Sequence, residues 1–349
     1  MKTRFYFAVC QAGAEKAVKA EIGAQAPHLR FAFSRPGFIT FKDDAPKKEP
    51  PELKNAIFVR LWGEILGQAK DAAALEELVS TIPSGSIVQA FERDLYLPGN
   101  EPPEFSRELR LAAALSGLPT AVGETLNNER RPSPGQAVYS LIIVDEGHFF
   151  LSRHRHTGHL TGQPGNAAHI PLPEASPSRA WLKIEEAIIR FRPEPSRGRR
   201  VLEVGCAPGG ATTALLARGC RVTGVDPQFM DSRVAGNPNF SHIRKPARFI
   251  SADDLRDCNP DWLVVDMSIA PLEALDELAH VVALLKKVHG TRLRLRNGFL
   301  TIKLNDWRFA SSISLYLRRI QGLGFRDLCP FQLSSNRQEF FVWAPNFRP

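Results

Sequence analysis

Cysteine and long apolar runs are both scarce in this 349-residue chain, and each shortage closes off a class of protein. The five cysteines, at 10, 206, 220, 258 and 329, are an odd number with no Cys-x-x-Cys pair and no ligand-like spacing. That argues against a disulfide framework and a zinc site and points to a reducing compartment, so a cytoplasmic location is expected. No stretch approaches the roughly 18 apolar residues of a membrane-crossing helix, and the first residues, MKTRFYFAVCQAG, lack the apolar core of a signal peptide. Positive charge, by contrast, is in surplus: the formal net charge is +8, which suits a polyanionic partner without identifying one. The length allows two or three domains.

In the first half, residues 4–9 alternate as a strand. Ala14, Val18 and Ile22 share one face of a helix over 14–24, and residues 38–41 form another strand, together a small βαβ unit. Phe31, Phe33 and Phe38 read as core of that unit rather than as a base-stacking platform. Residues 42–52, KDDAPKKEPPE, have prolines, mixed charge and no apolar period, and read as a linker or long surface loop. Beyond it comes an α+β module with an apolar segment at 56–66, helices at 72–79 and 104–115, strands at 87–91 and 137–144, and no Gly-rich turn. Asn128, Arg130 and Arg131 either touch phosphate or belong to a solvated loop. Residues 153–169 hold four of the nine histidines; His154, His156 and His159 have no Cys or carboxylate at ligand spacing, so they read as polar surface and no metal is expected. Residues 162–178 are rich in Pro, Gly and Ala and read as inter-domain linker, with the linker between the halves set at 166–179.

The second half is organised around residues 200–226, RVLEVGCAPGGATTALLARGCRVTGVD. Val201, Leu202 and Val204 are the apolar run of a buried parallel strand. Gly205, Gly209 and Gly210, with Ala207 and Pro208 between them, let the backbone turn tightly and approach a ligand. A helix over 212–217 follows, and a strand over 222–225 delivers Asp226, where a carboxylate can accept hydrogen bonds from ribose hydroxyls. Alone, this order suits NAD and S-adenosylmethionine equally. Residues 179–192 form a helix ahead of it. Behind it, residues 248–251 lead to Asp253 and Asp254, a strand over 262–265 ends on Asp266, and one over 299–302 ends on Lys303, with helices over 278–288 and 311–321. An antiparallel pair, 325–333 and 340–343, turns at 334–337 and carries Glu339. The expected fold is α/β, a mostly parallel sheet closed by a terminal antiparallel hairpin. Ligands in such sheets bind at the carboxyl ends of the strands, so Gly205, Ala207, Pro208, Gly209, Gly210, Asp226, Asp253, Asp266 and Lys303 are expected on one rim, with Asp253 or Asp254 near an adenine.

The segments VLEVGCAPGG, VTGVD, DWLVVDM, FLTIKL and RQEFFVWA closely resemble the S-adenosylmethionine-dependent ribose 2′-O-methyltransferases of the FtsJ-like superfamily, over residues 176–344. The resemblance implies a Rossmann-like methyltransferase domain over 180–349, S-adenosylmethionine as cofactor, an RNA substrate, and a Lys-Asp-Lys-Glu tetrad that Lys183, Asp266, Lys303 and Glu339 match. It alone brings Lys183 and Glu339 to the rim. SPSRAWLKIEEA and the first half are similar to the bacterial branch that methylates a cytidine ribose of 23S rRNA, which implies a ferredoxin-like unit over 1–52 and a THUMP-like RNA-binding domain over 53–165. Two positions depart from the pattern: Ala207 separates Cys206 from the Pro-Gly-Gly, and Ala180 stands where relatives often carry Ser.

The tetrad suits the chemistry. A ribose hydroxyl is a poor nucleophile at neutral pH, so methyl transfer to it needs a base, in-line placement and stabilisation of the developing alkoxide. Lys303 is the expected base, with Lys183 disfavouring its proton and Asp266 and Glu339 orienting it. Basic runs (Arg190, Arg192, Arg197, Arg199, Arg200, and Lys286, Lys287, Arg292, Arg294, Arg296) are either phosphate contacts or solvated charge. Large-subunit rRNA is the expected substrate; tRNA, another RNA, and a non-catalytic RNA-binding or assembly role are the alternatives.

Overall fold

The computed structural model describes residues 3–348 apart from 48, 55, 98, 99, 101–103 and 194, with only the backbone of residues 104–108. Lys48, within the expected loop at 42–52, lies outside the described residues. The chain divides into two compact units, residues 1–169 and 170–349.

The first unit runs β1 (Arg4–Val9), α1 (Glu15–Gln25), β2 (Arg30–Arg35), β3 (Phe38–Asp43), β4 (Leu61–Ala69), α2 (Ala72–Ser80), β5 (Ile87–Glu92), α3 (Glu104–Ser116), α4 (Thr120–Thr125), β6 (Ala137–Asp145) and β7 (His148–Arg155). Its seven strands form one sheet in the order β2-β3-β1-β4-β7-β6-β5, antiparallel except between β5 and β6. The expected βαβ unit is therefore βαββ. The segments 1–52 and 53–165 share this sheet, because β1 pairs with β4 with Phe7 opposite Gly63. Local chemistry sets the helices: the Asp71 carboxylate caps α2 by accepting a hydrogen bond from the Ala74 N–H at 2.8 Å, and Leu75 and Val79, one turn apart, are buried together.

Two readings of this half need correction. His154 and His156 are not polar surface. The strand period turns Arg153 and Arg155 outward and both histidines inward, where they are buried. Burial and the neighbouring His156 push the pKa of His154 down to about 4, so the ring is neutral at pH 7. Phe31, for its part, is not core: it lies on the edge strand β2, 53% exposed, with the Lys19 ammonium 3.8 Å from its ring centre. Phe38 is buried, and Phe33 packs against the core it belongs to.

The second unit runs α5 (Ala180–Phe191), β8 (Arg200–Val204), α6 (Gly210–Ala217), β9 (Arg221–Val225), α7 (Ser232–Ala235), β10 (Phe240–Ile243), β11 (Trp262–Met267), α8 (Pro271–His289), β12 (Asn297–Lys303), α9 (Ile313–Gly322), β13 (Cys329–Phe331) and β14 (Glu339–Ala344). The sheet order is β10-β9-β8-β11-β12-β14-β13, with the first five strands parallel and β14 antiparallel to both neighbours. Val201, Val264, Phe299 and Phe341 pack on one face with Ile184 and Ala187 of α5 and Ala211, Ala214 and Leu215 of α6. Leu202, Leu263, Val265 and Leu300 are buried as well, so the central strands are apolar on both sides, as a covered parallel sheet requires. Each such large side chain contributes about 1.5–3 kcal/mol by leaving water. The rim has one departure from expectation: no strand precedes Asp253, which begins a short 3-10 turn, and the strand between β9 and β11 lies instead at β10.

Candidate active site at the carboxyl ends of the parallel strands

Four elements deliver four ionisable side chains to one point. β11 carries Asp266 near its end and β12 ends on Lys303. Because β14 runs antiparallel beside β12, its first residue stands opposite the last of β12, which sets Glu339 against Lys303. Lys183, in the first turn of α5, reaches across. Its Nζ lies 2.8 Å from Asp266 Oδ2 and 2.8 Å from Glu339 Oε1. Lys303 Nζ contacts Glu339 Oε2 and is 3.8 Å from Asp266 Oδ1.

Two cations and two anions this close balance each other, which is what allows charge to persist out of water. Burial opposes the charge on Lys183, but Asp266 and Glu339 outweigh it and raise its pKa above the ordinary lysine value. For Glu339, burial acts upward and the two ammonium groups more than reverse it, leaving its pKa below the usual glutamate value. Lys183 and Glu339 are thus fixed as ions, their side chains 11% and 2% exposed, whereas Lys303, at 24%, is the most open of the four.

Beside this cluster the chain turns from β8 into α6. Gly205 and Gly209 have φ of 83° and 117°, a region that L side chains rarely adopt. A Cβ at Gly205 would also stand 2.5 Å from the Asp266 carbonyl oxygen, so only glycine allows this turn to lie against the end of β11. The Ala207–Pro208 peptide is cis. Asp226, just past β9, accepts hydrogen bonds from the Ala207 N–H (Oδ2, 3.1 Å) and the Gln228 N–H (Oδ1, 2.8 Å). Each of its oxygens keeps a further lone pair for a hydroxyl donor. A cleft of about 310 Å³ opens here, lined among others by Gly205, Ala207, Lys183, Asp266, Lys303 and Glu339. A glycine turn, a carboxylate at the next strand end and an open cleft fit a nucleoside-bearing donor.

Of the other expected residues, Pro208, Gly209, Gly210, Asp226 and Asp253 are not among those that line this cleft. Asp253 is 79% exposed and ion-paired with Arg256. Arg190 is buried against Glu186 and is no surface contact. Arg197, Arg199, Arg200, Arg292, Arg294 and Arg296 sit where β8 and β12 begin. There Asp261 accepts hydrogen bonds from the Arg200 N–H at 3.0 Å and from Arg294 Nε at 3.1 Å. A five-residue strand, roughly 17 Å, separates that end from the rim.

The cleft also shows residues that sequence reasoning passed over: Ser178, Arg179, Glu203, Ser268, Ser335 and Arg337. Glu203 is fully buried; desolvation pushes its pKa up to about 8, while the Thr212 hydroxyl donates to Oε2 at 2.7 Å. An acid inside an apolar strand, LEV, was the available signal for it. The others come from loops with no period to read. All five cysteines are free, and among the described residues no group of three or more His, Cys, Asp or Glu is placed to hold a metal ion. Among the same residues no helix is long and apolar enough to cross a membrane.

A family model described as FtsJ-like methyltransferase matches residues 177–344. A protein named ribosomal RNA large subunit methyltransferase M from Halorhodospira halophila is 27% identical over 277 residues, covering 75% of this chain and 76% of that one. A protein of the same name from Xylella fastidiosa is 35% identical over 117 residues, 31% of each chain. A solved structure described as a putative ribosomal RNA methyltransferase from Plasmodium falciparum is 16% identical, with a TM-score of 0.36, over 49% of this chain and 97% of that one.

Proposed function

We propose that the protein, whose residues 177–344 match the FtsJ-like methyltransferase family model, transfers a methyl group to a ribose 2′-hydroxyl of RNA, on large-subunit rRNA. The observation that carries this reading is the convergence of Lys183, Asp266, Lys303 and Glu339 beside the glycine turn. The relatives named as large-subunit rRNA methyltransferases support the choice of RNA, and an rRNA substrate implies work in the cytoplasm.

S-adenosylmethionine supplies an electrophilic methyl group on its sulfonium. The backbone of residues 205–210 and the Asp226 carboxylate hold the donor. Lys303 has its amine at the open side of the cluster, so it is the group to meet the ribose hydroxyl and take its proton. To do so it must be neutral when the hydroxyl meets it. Lys183, charged throughout, ties Asp266 to Glu339 and keeps both aimed at Lys303. The same cations stabilise oxygen charge as the hydroxyl becomes an alkoxide.

Unit 1, read as ferredoxin-like and THUMP-like modules, selects the RNA. The outward row of Arg153 and Arg155 on β7 and the exposed Phe31 under Lys19 are its polyanion-facing and stacking features. A non-catalytic RNA-binding factor is the weaker reading, since nothing but chemistry requires two lysines and two acids held together at strand ends. Comparing 2′-O-methylation across rRNA and tRNA with and without the gene tests the proposal. Loss of one large-subunit rRNA mark is expected; an unchanged rRNA map refutes the choice of substrate, and a lost tRNA mark moves it.

A further inference from the structure

Helix α5 carries more than Lys183 toward the site. Glu186 and Arg190 follow at three and seven residues, on the same face, and both are buried, at 1% and 2% exposure. The Glu186 carboxylate does not face solvent or the cleft. Its Oε1 accepts hydrogen bonds from the N–H and hydroxyl of Ser334 at 2.7 and 2.9 Å, and its Oε2 from the N–H and hydroxyl of Ser335 at 3.2 Å each. Arg190 donates from Nε to Glu186 Oε1 at 2.8 Å and from a terminal nitrogen to the Ser334 hydroxyl at 3.3 Å, with its guanidinium 4.6 Å from the Phe331 ring centre.

The turn gripped in this way leads directly into Glu339. Within it the Asn336 side chain, fully buried, accepts from the Leu333 N–H at 2.8 Å and donates to Glu339 Oε1 at 2.8 Å. The Gln332 amide donates to the Glu339 carbonyl at 3.3 Å. Ser335 and Arg337 of the same turn line the cleft. A buried ion pair is weak support for stability, because desolvation offsets most of its attraction, so its presence beneath this turn calls for another reason. We propose that Glu186, Arg190 and Asn336 form a buried brace that positions Glu339, and through Glu339 the Lys303 amine, for proton removal from the ribose hydroxyl. They are positioning residues: none is needed to touch RNA or donor.

The inference rests on the methyl-transfer reading of the site, so its test carries Lys303→Ala as a control. The informative variant is Asn336→Asp, which changes almost no volume but turns a donor facing Glu339 into a second carboxylate. Two acids at that distance raise each other's pKa, and the added negative charge also holds the proton on Lys303 more tightly. Both effects move the pH dependence of turnover the same way. In the full chain, acting on large-subunit RNA from cells lacking the gene, kcat at pH 7 is expected to fall at least tenfold and to recover at pH 9, with S-adenosylhomocysteine affinity within twofold of wild type. Ser334→Ala, which removes one hydroxyl from the grip on Glu186 and Arg190, serves as the milder variant. It should lower kcat about threefold with KM for RNA unchanged.

Four outcomes overturn the brace: an unshifted pH profile in Asn336→Asp, a loss of activity without alkaline recovery, a loss that merely follows the folded fraction, or a Ser334→Ala variant with wild-type kcat. If Lys303→Ala itself turns over at the wild-type rate, the site reading fails instead, and the two failures are thereby told apart.

Discussion

The two sheets of this protein have the same number of strands and put them to different use. In the second unit five parallel strands end on one side, so one rim collects the residues that follow each of them, and α5 and β14 add two more. In the first unit neighbouring strands run in opposite directions except for β5 and β6, and their ends scatter. Buried ionisable groups differ between the rim and the first unit as well. Lys183 and Glu339 keep their charges because each finds its counter-ion within 2.8 Å. In the first unit, His154 is held neutral by burial, and Glu21 is pushed up to about 7 by desolvation, although it accepts the Ile57 and Phe58 N–H groups. The rim of the parallel sheet gathers charges that pair, whereas His154 and Glu21 are buried without a counter-ion among the described residues and burial disfavours their charged forms, as it does for Glu203 inside β8.

That contrast can be broken at several points. The largest effect belongs to Lys303→Ala, which should lower methyl transfer about a thousandfold, the ordinary scale for losing a general base, while leaving donor affinity intact. Wild-type turnover in that variant would remove Lys303 from the chemistry. Lys183→Met leaves Glu339 and Asp266 short of a cation in a buried setting. Denaturant unfolding should show a loss of about 3–5 kcal/mol, and a loss below 1 kcal/mol would mean that the pairing matters little.

The first unit should answer to pH in a way the rim does not. His154 has a folded-state pKa of about 4 against an unfolded value of 6.5, so its neutral ring adds stability that is fully present above pH 6.5 and lost as pH falls toward 4. Integrated over that window the loss is about 3 kcal/mol. Glu21, raised to about 7, acts in the opposite sense over the same range, so the test is a difference: His154→Phe should lose less stability on acidification than wild type, and an unaltered slope would place the sensitivity elsewhere. The smallest effect is expected at the far end of the second sheet. Arg197→Ala combined with Arg292→Ala should leave single-turnover methyl transfer at saturating RNA within about twofold of wild type. A clear drop in that rate would show that the two ends of the sheet are not separable.

Local patterns in the sequence were readable wherever the physics is local. The apolar runs of β8, β11 and β12, the glycines after β8 and the acid after β9 each announce themselves within a few residues, because strand burial and tight turns impose a composition. β10 was unread because Phe240–Ile243 is four residues long and only half-buried. The inward histidines were misread because a His-Arg alternation looks polar until one face has a core to pack on. Arg190 reads in the sequence as one more charge of a basic run, because nothing nearby in the chain betrays that Ser334 and Ser335, more than 140 positions later, cluster around its Glu186 partner.

The sequence by itself determined that a glycine turn would follow a buried strand and that Asp266 and Lys303 would stand at strand ends, since alternation, propensity and the glycine backbone act over a few residues. Tertiary structure alone decided which of them meet. The antiparallel insertion of β14 next to β12 sets Glu339 opposite Lys303, and the packing of α5 against the sheet points Lys183 at both acids. The same packing set Arg200 and Arg294 around Asp261 at the opposite end of the strands and buried Glu186 and Arg190 beneath the turn. Charge pairing out of water depends on distances of a few ångströms between residues far apart in the chain, and only the folded sheet sets those distances.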